Sequence, residues 1–167
     1  NDEGAITQIV SPKKGKVRGW SNGNWADEFS VDTHLFAAHV DKYDALLLPG
    51  GVMNPDYLRM IPQAVDFVKA FADAQKPIAA ICHGPQTLIE TNLLQGKTMT
   101  SWHSLKTDLQ NAGVLWVNEE VVVDKGLISS RKPEDIPAFN LKMIEEFAEG
   151  IHEELSQNRS SFTQADL

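Results

Sequence analysis

Pro77-Ile78-Ala79-Ala80-Ile81-Cys82-His83-Gly84-Pro85 is the stretch on which the fold turns. An apolar strand, Ile78 to Ile81, runs directly into the single cysteine of the chain, and Gly84-Pro85 then opens a helix, because proline suits an early helical turn. The pattern Ala80-x-Cys82-x-Gly84 has the shape of a nucleophile elbow, with Ala80 in place of the usual first glycine. Small residues on both sides let the backbone bend tightly enough to present one side chain above a sheet. A thiol at a helix entrance also meets unpaired backbone N–H groups and the positive end of the helix dipole, so the sequence predicts a Cys82 that favours thiolate over thiol. The competing reading is that of a buried cysteine acting as a small hydrophobe. The preceding strand, the adjacent histidine and the Gly-Pro that follows favour the reactive reading.

Outward from this stretch, short apolar runs alternate with helical patterns, the signature of a parallel sheet covered on both faces, and the class is α/β. Ala5 to Val10 reads as a strand closed by Ser11-Pro12, and Ala45 to Leu48 as a buried strand closed by Pro49-Gly50-Gly51. Between them, Lys13 to Asp41 is polar, carries Trp20 and Trp25, and reads as a small hairpin or irregular loop. Pro62 to Ala74 places Val65, Val68 and Phe71 at helical spacing. A helix is expected from His83 to Thr91, a short strand over Thr98 to Thr100, and a helix from Ser104 to Ala112 with Ser104 as its cap. A meander of Val114 to Val117, Glu120 to Val123 and Leu127 to Ser130 follows, turning at Asp124-Lys125-Gly126, and Glu134 to Glu149 is an amphipathic helix. Residues 1–155 are read as one α/β domain and residues 156–167 as a polar tail.

The 167 residues, 42% of them hydrophobic, are enough for a full core. A net charge of -8 argues against a nucleic-acid partner, and Lys13, Lys14, Lys16 and Arg18 read as a solvated turn. One cysteine excludes an internal disulfide, and no apolar run approaches a membrane span, so a cytoplasmic protein is expected. His34, His39, His103 and His152 lack metal-ligand spacing, so no metal and no cofactor is expected. Trp20 and Trp25 read as packing residues in preference to a site or interface. Arg131 is either an anchor for a substrate carboxylate or, the favoured reading, the partner of Glu134 or Asp135.

Taken together, Leu48-Pro49-Gly50-Gly51, Ala80-Ile81-Cys82-His83-Gly84-Pro85-Gln86, Asn111-Ala112-Gly113, Glu120-Val121-Val122-Val123-Asp124, Ser129-Ser130-Arg131 and Pro137-Ala138-Phe139-Asn140 resemble the PfpI family. That family of intracellular cysteine hydrolases and general stress proteins shares a superfamily with the Parkinson-linked deglycase and the class I glutamine amidotransferases. The resemblance runs from about Gly4 to about Phe147, with its motifs in order.

The resemblance implies a flavodoxin-like sandwich with a mostly parallel central sheet, and a catalytic set of Cys82, His83 and Asp56. Asp56 matches an acid that orients the histidine from a neighbouring subunit, with one extra residue in the loop and Asp where some members have Glu. Gly50, Gly51 and His83 would form the oxyanion and substrate-binding wall; a tetrahedral oxyanion needs fixed donors, and glycine lets the backbone come close. Trp102 would line the pocket where some relatives carry tyrosine, and indole cannot act as a phenolic acid. The family's first strand and helix, with a glutamate that hydrogen-bonds the sulfur, precede the part matched here. As the chain opens on Asn1 without an initiator methionine, the expectation is a fragment, a cleaved chain or an incompletely reported sequence.

Two substrate types follow from the resemblance: a small dicarbonyl such as methylglyoxal, or its adducts on Cys, Lys and Arg; and a peptide bond. The first is favoured, because a single-domain sandwich offers a small pocket and no specificity subsite is legible. The expected partners are therefore a small carbonyl substrate or a glycated protein or peptide, and further copies of the chain in a homo-oligomer with a shared site. A reading of another class is a non-catalytic redox sensor or holding chaperone.

Overall fold

The computed structural model describes residues 2–21 and 23–151, and the chain divides into two compact units that meet in sequence between Lys42 and Tyr43. The tail expected at 156–167 and His152 lie outside the described residues.

In the first unit, β1 is Val10–Ser11, β2 is Lys16–Ser21, β3 is Asn24–Ser30 and β4 is Thr33–His34. β2 and β3 form the expected hairpin, pairing Lys16 with Ser30 and Trp20 with Trp25. The strand expected over Ala5 to Val10 is not formed: only Val10 enters a ladder, parallel to Thr33, and residues 5–8 are exposed. The Asp32 carboxylate takes the Ile9 N–H at 2.7 Å, and the N–H groups of Asp32 and Thr33 both donate to the Ile9 carbonyl, so the contact at this point is a local clasp. Lys16 and Arg18 lie on β2 and not in a turn; Lys16 pairs with Glu28 at 3.2 Å and Arg18 sits 5.6 Å over the Trp25 ring. Trp20 and Trp25 meet edge to face at 5.1 Å and stay more than half exposed, which corrects the reading of both as packed residues.

The second unit begins with β5 (Leu46–Leu48), α1 (Met53–Leu58) and α2 (Pro62–Asp73). α1 falls in a stretch to which the sequence reading assigns no element. α2 opens on Pro62 as expected and buries Val65, Val68 and Phe71. Then come β6 (Ile78–Ile81), α3 (Pro85–Ile89), β7 (Thr98–Met99), α4 (Lys106–Asn111), β8 (Leu115–Trp116), β9 (Val121–Asp124), β10 (Leu127–Ser130) and α5 (Ile136–Glu149). The main sheet has the order β5-β6-β10-β9, with β5, β6 and β10 parallel and β9 antiparallel to β10.

β8 departs from the expected meander: it pairs in parallel with β7, Thr98 with Leu115 and Met99 with Trp116. The β9–β10 half forms as expected, with Lys125 at φ 55° in its turn. The expected helix from Ser104 resolves into a 3-10 turn, His103–Leu105, followed by α4, whose cap is Leu105 with no side-chain bond.

Ile78, Ala79 and Ala80 are at most 1% exposed, as expected of a central parallel strand covered on both faces. Ala79 and Ile128 pack with Phe139 of α5, joined at the margin by Met143 and Phe147. Full burial of a side chain such as Ile128 or Phe139 stabilises the fold by roughly 1.5–3 kcal/mol. Both faces of β6 are thus clamped, and its carboxyl end, where Cys82 begins, is held in place. Among the described residues no helix is long and apolar enough to cross a membrane.

Candidate active site

β6 ends at Ile81 and α3 starts at Pro85, so Cys82, His83 and Gly84 must reverse the chain within three residues. Cys82 does this at φ 63°, in the left-handed region that non-glycine residues enter at a cost. Its N–H donates to the Ser130 carbonyl at 3.0 Å and its carbonyl accepts the Trp102 N–H at 2.9 Å, which fixes the strained residue from both sides. The close approach explains the glycines. A Cβ on Gly84 would lie 2.4 Å from the Leu48 carbonyl oxygen, and one on Gly50 would lie 2.7 Å from Cys82 Cβ. These residues pack the loop after β5 directly against the elbow after β6, at the carboxyl ends of parallel strands where open α/β sheets place ligands.

Cys82 is partly buried. Its Sγ lies 3.4 Å from His83 Nδ1, and backbone N–H groups of His83 and Gly51 hydrogen-bond the sulfur. Those N–H groups favour the thiolate, yet burial is the larger effect and pushes the thiol above its ordinary pKa. The expectation of a preformed thiolate is therefore corrected: desolvation outweighs the local donors. Burial also lowers the His83 pKa, so both members of the pair rest in their neutral forms at neutral pH. Adjacent residues diverge on a helix, but these two precede α3, and the elbow lets the ring turn back to the sulfur.

Around the pair, the Trp102 ring stacks on His83 with centroids 6.0 Å apart, and Ser104 Oγ lies 3.4 Å from His83 Nε2. Asp56 sits in the first turn of α1, where its Oδ1 accepts from Gln86 Nε2 at 3.4 Å; no hydrogen bond joins it to the His83 of its own chain among the described residues. Gly50, Gly51, Cys82, His83 and Trp102 are thus brought together, and Asp56 stands next to Gln86 at the rim. Sequence reasoning missed Ser104 as a neighbour of His83 and Gln86 as a neighbour of Asp56. The available signal was the position of Ser101 to Ser104 just past β7, another carboxyl strand end.

Beyond Trp102, a pocket of about 250 Å³ is lined by Ser101, Trp102, His103, Asn118, Arg131 and Lys132. Arg131 is committed: it donates to both carboxylate oxygens of Asp135, at 2.7 and 3.1 Å, and to Asn118 Oδ1 at 3.0 Å. The structural pair, the favoured reading of this arginine, is the one formed. Among the described residues no group of three or more His, Cys, Asp or Glu side chains could hold a metal ion.

The DJ-1/PfpI family pattern matches residues 1–146. The chain belongs to the DJ-1/PfpI family. A putative cysteine protease, YraA, of Bacillus subtilis is 43% identical over 73% of this chain and 72% of its own length. General stress protein 18 of the same organism is 43% identical over 81% of this chain and 78% of that protein. Protein/nucleic acid deglycase 2 of Escherichia coli is 48% identical over 69% of this chain and 67% of that protein. Among solved structures, a ThiJ/PfpI domain protein from Brachyspira murdochii superposes with a TM-score of 0.79 at 18% identity, covering 89% of this chain and 83% of the other. This last likeness bears on the fold, which is the flavodoxin-like α/β architecture of the family.

Proposed function

We propose that this DJ-1/PfpI chain is a cysteine-dependent enzyme of the glyoxalase or deglycase type, acting on methylglyoxal or its adducts on protein side chains. The observation that carries the proposal is Cys82 Sγ held at a strained turn, 3.4 Å from His83 Nδ1 and bonded by the N–H groups of Gly51 and His83. Because thiol and imidazole both rest neutral, attack is general-base assisted. The S–H proton passes to Nδ1 as sulfur bonds the aldehyde carbon, and the carbonyl oxygen takes the negative charge opposite the same backbone donors. The imidazolium returns its proton to that oxygen to give the hemithioacetal; moving the C1 hydrogen to C2 and the hydroxyl proton to the C2 oxygen then yields a lactoyl thioester, which water cleaves to lactate and the free thiol. Methylglyoxal plus water equals lactic acid, so no cofactor is required.

The E. coli relative named a deglycase supports the same class. In this reading Asp56, which accepts from Gln86 within its own chain, serves His83 of a second copy, and the working unit is a homo-oligomer. Peptide hydrolysis is the second reading, favoured by the relative named a putative cysteine protease. A redox-sensing thiol is less well supported, since burial raises the Cys82 pKa and lowers the thiolate fraction on which oxidation depends.

The test is methylglyoxal consumption and lactate release by the purified protein and its Cys82→Ser variant. Turnover abolished by the substitution is expected. Full activity in Cys82→Ser would overturn the covalent mechanism, and cleavage of a peptide by a wild type inert to methylglyoxal would move the assignment to the second reading.

A further inference from the structure

Trp102 belongs to two surfaces. Its ring stacks on His83 and its backbone N–H bonds the Cys82 carbonyl at 2.9 Å, and the same residue walls the pocket formed with Ser101, His103, Asn118, Arg131 and Lys132. The pocket thus shares a wall with the Cys82–His83 pair. Its lining holds two cations and no acid. Several of its polar ends are already spent: Ser101 Oγ donates to the Trp102 carbonyl at 2.9 Å and accepts from Trp116 Nε1 at 3.0 Å, and the His103 ring packs edge-on against Trp116. The Arg131 guanidinium is taken by Asp135 and by Asn118 Oδ1. A guanidinium only donates, so the Asn118 amide must turn its oxygen to Arg131 and keep its NH2 as the outer end. Pro133 denies the helical region to the residue before it, and Lys132 is accordingly extended, at φ -162° and ψ 168°. The Lys132 charge is felt by Asp135, which Arg131 already neutralises, and no ion pair or hydrogen bond takes its Nζ among the described residues. The side-chain ends that remain on Trp102, Asn118 and Lys132 are all donors, and one of them is charged.

We propose that this pocket is a subsite for a carboxylate on the substrate, held by Lys132 Nζ, Asn118 Nδ2 and the Trp102 indole N–H. The inference rests on the proposed function and narrows it: the substrate is a carbonyl compound or methylglyoxal adduct whose carrier bears a carboxylate, such as a modified free amino acid or the last residue of a peptide. A carboxylate accepts at both oxygens, and its bond to an ammonium is charge-assisted. A carboxamide of the same shape brings N–H groups against donors and is rejected. The acids that act on this corner, Asp135, Glu119 and Glu120, act on Arg131, and none of them lines the pocket. Arg131 is a positioning residue here, working through the amide of Asn118. The carboxylate anchor that the sequence offers at Arg131 falls one residue further on.

Cys82 is the only cysteine, so alkylation of the full chain reads this site alone. Iodoacetate and iodoacetamide differ by a carboxylate against a carboxamide, and the ratio of their rates is measured at neutral pH and low ionic strength. Lys132→Met should lower that ratio by about threefold, the effect of one partly exposed ion contact, and Lys132→Arg, which keeps the charge, should restore it. In the wild type, N-acetylglycine should slow iodoacetamide and N-acetylglycinamide should not; this protection should weaken with added salt and disappear in Lys132→Met. Displacement of the elbow would slow both reagents alike and leave the ratio where it was. A ratio unchanged in Lys132→Met, or equal protection by the acid and its amide, would therefore overturn the assignment. Neither readout needs turnover, so a protein that passes both and leaves methylglyoxal untouched would keep the subsite and lose the proposed reaction.

Discussion

A Cβ added to Gly50 would stand 2.7 Å from Cys82 Cβ and 3.1 Å from the Ile81 carbonyl oxygen. Neither atom is the far end of a flexible side chain, so the loop after β5 and the elbow after β6 share one packing solution. Gly50→Ala should therefore destabilise the protein by about 1–3 kcal/mol, the usual cost of overpacking, and displace Cys82 from His83. Urea midpoints and the alkylation rate of Cys82 check it together. Gly84→Ala should cost more, because its Cβ would meet the Leu48 carbonyl oxygen at 2.4 Å.

The φ of 63° at Cys82 separates two ways of removing the sulfur. Cys82→Gly enters the left-handed region freely, whereas Cys82→Ala retains the steric penalty of a Cβ there. The glycine variant should be the more stable of the two by about 1 kcal/mol, against glycine's usual disadvantage. Equal melting temperatures, or a more stable alanine variant, would mean that the turn relaxes once the thiol is gone.

Burial raises the Cys82 pKa, and the sign of the consequence is fixed. As pH rises, the unfolded chain loses the thiol proton before the folded chain does, so stability is fully present below the ordinary thiol pKa and is lost as pH climbs through the raised folded value. Alkylation by iodoacetamide should accordingly keep increasing above the ordinary thiol range. Cys82→Ala should remove the alkaline loss of stability. A rate already level at neutral pH would mean that the N–H donors of His83 and Gly51 outweigh burial.

The elbow was legible because its causes are local: an apolar strand, a cysteine and Gly-Pro lie within nine consecutive residues. The α/β class and the helix from Pro62 were legible for the same reason, each having a periodic pattern of its own. What was not legible depends on partners distant in sequence. β8 pairs with β7 and not with β9, a choice no pattern within Leu115–Trp116 encodes. Ala5 to Gln8 looks like a strand by composition but does not take strand conformation. The ionisation of Cys82 was misjudged because helix-end donors can be read from sequence, whereas desolvation is created by tertiary packing. Ser104 has the residue type and position of a helix cap, and its contact with His83 spans 21 positions.

Arg131 follows β10 and Asp135 leads into α5, so their bidentate bond ties the end of the sheet to the start of its covering helix. The Arg131 hydrogen bonds hold the Asp135 carboxyl below its ordinary pKa in spite of burial, which acts the other way. The folded carboxylate thus contributes stability that is present above the ordinary carboxylate pKa and is lost as pH falls through the lowered folded value. Asp135→Asn should cost about 2 kcal/mol at neutral pH, less than a fully buried pair because the guanidinium keeps some contact with water. The difference from wild type should stay constant above the carboxylate range and shrink in acid. Arg131→Lys should recover only part of the loss, since an ammonium cannot reproduce the two parallel bonds of the guanidinium. Chemical denaturation at a series of pH values measures all three; a deficit in Asp135→Asn that persisted unchanged into strong acid would show that shape, and not charge, makes this junction.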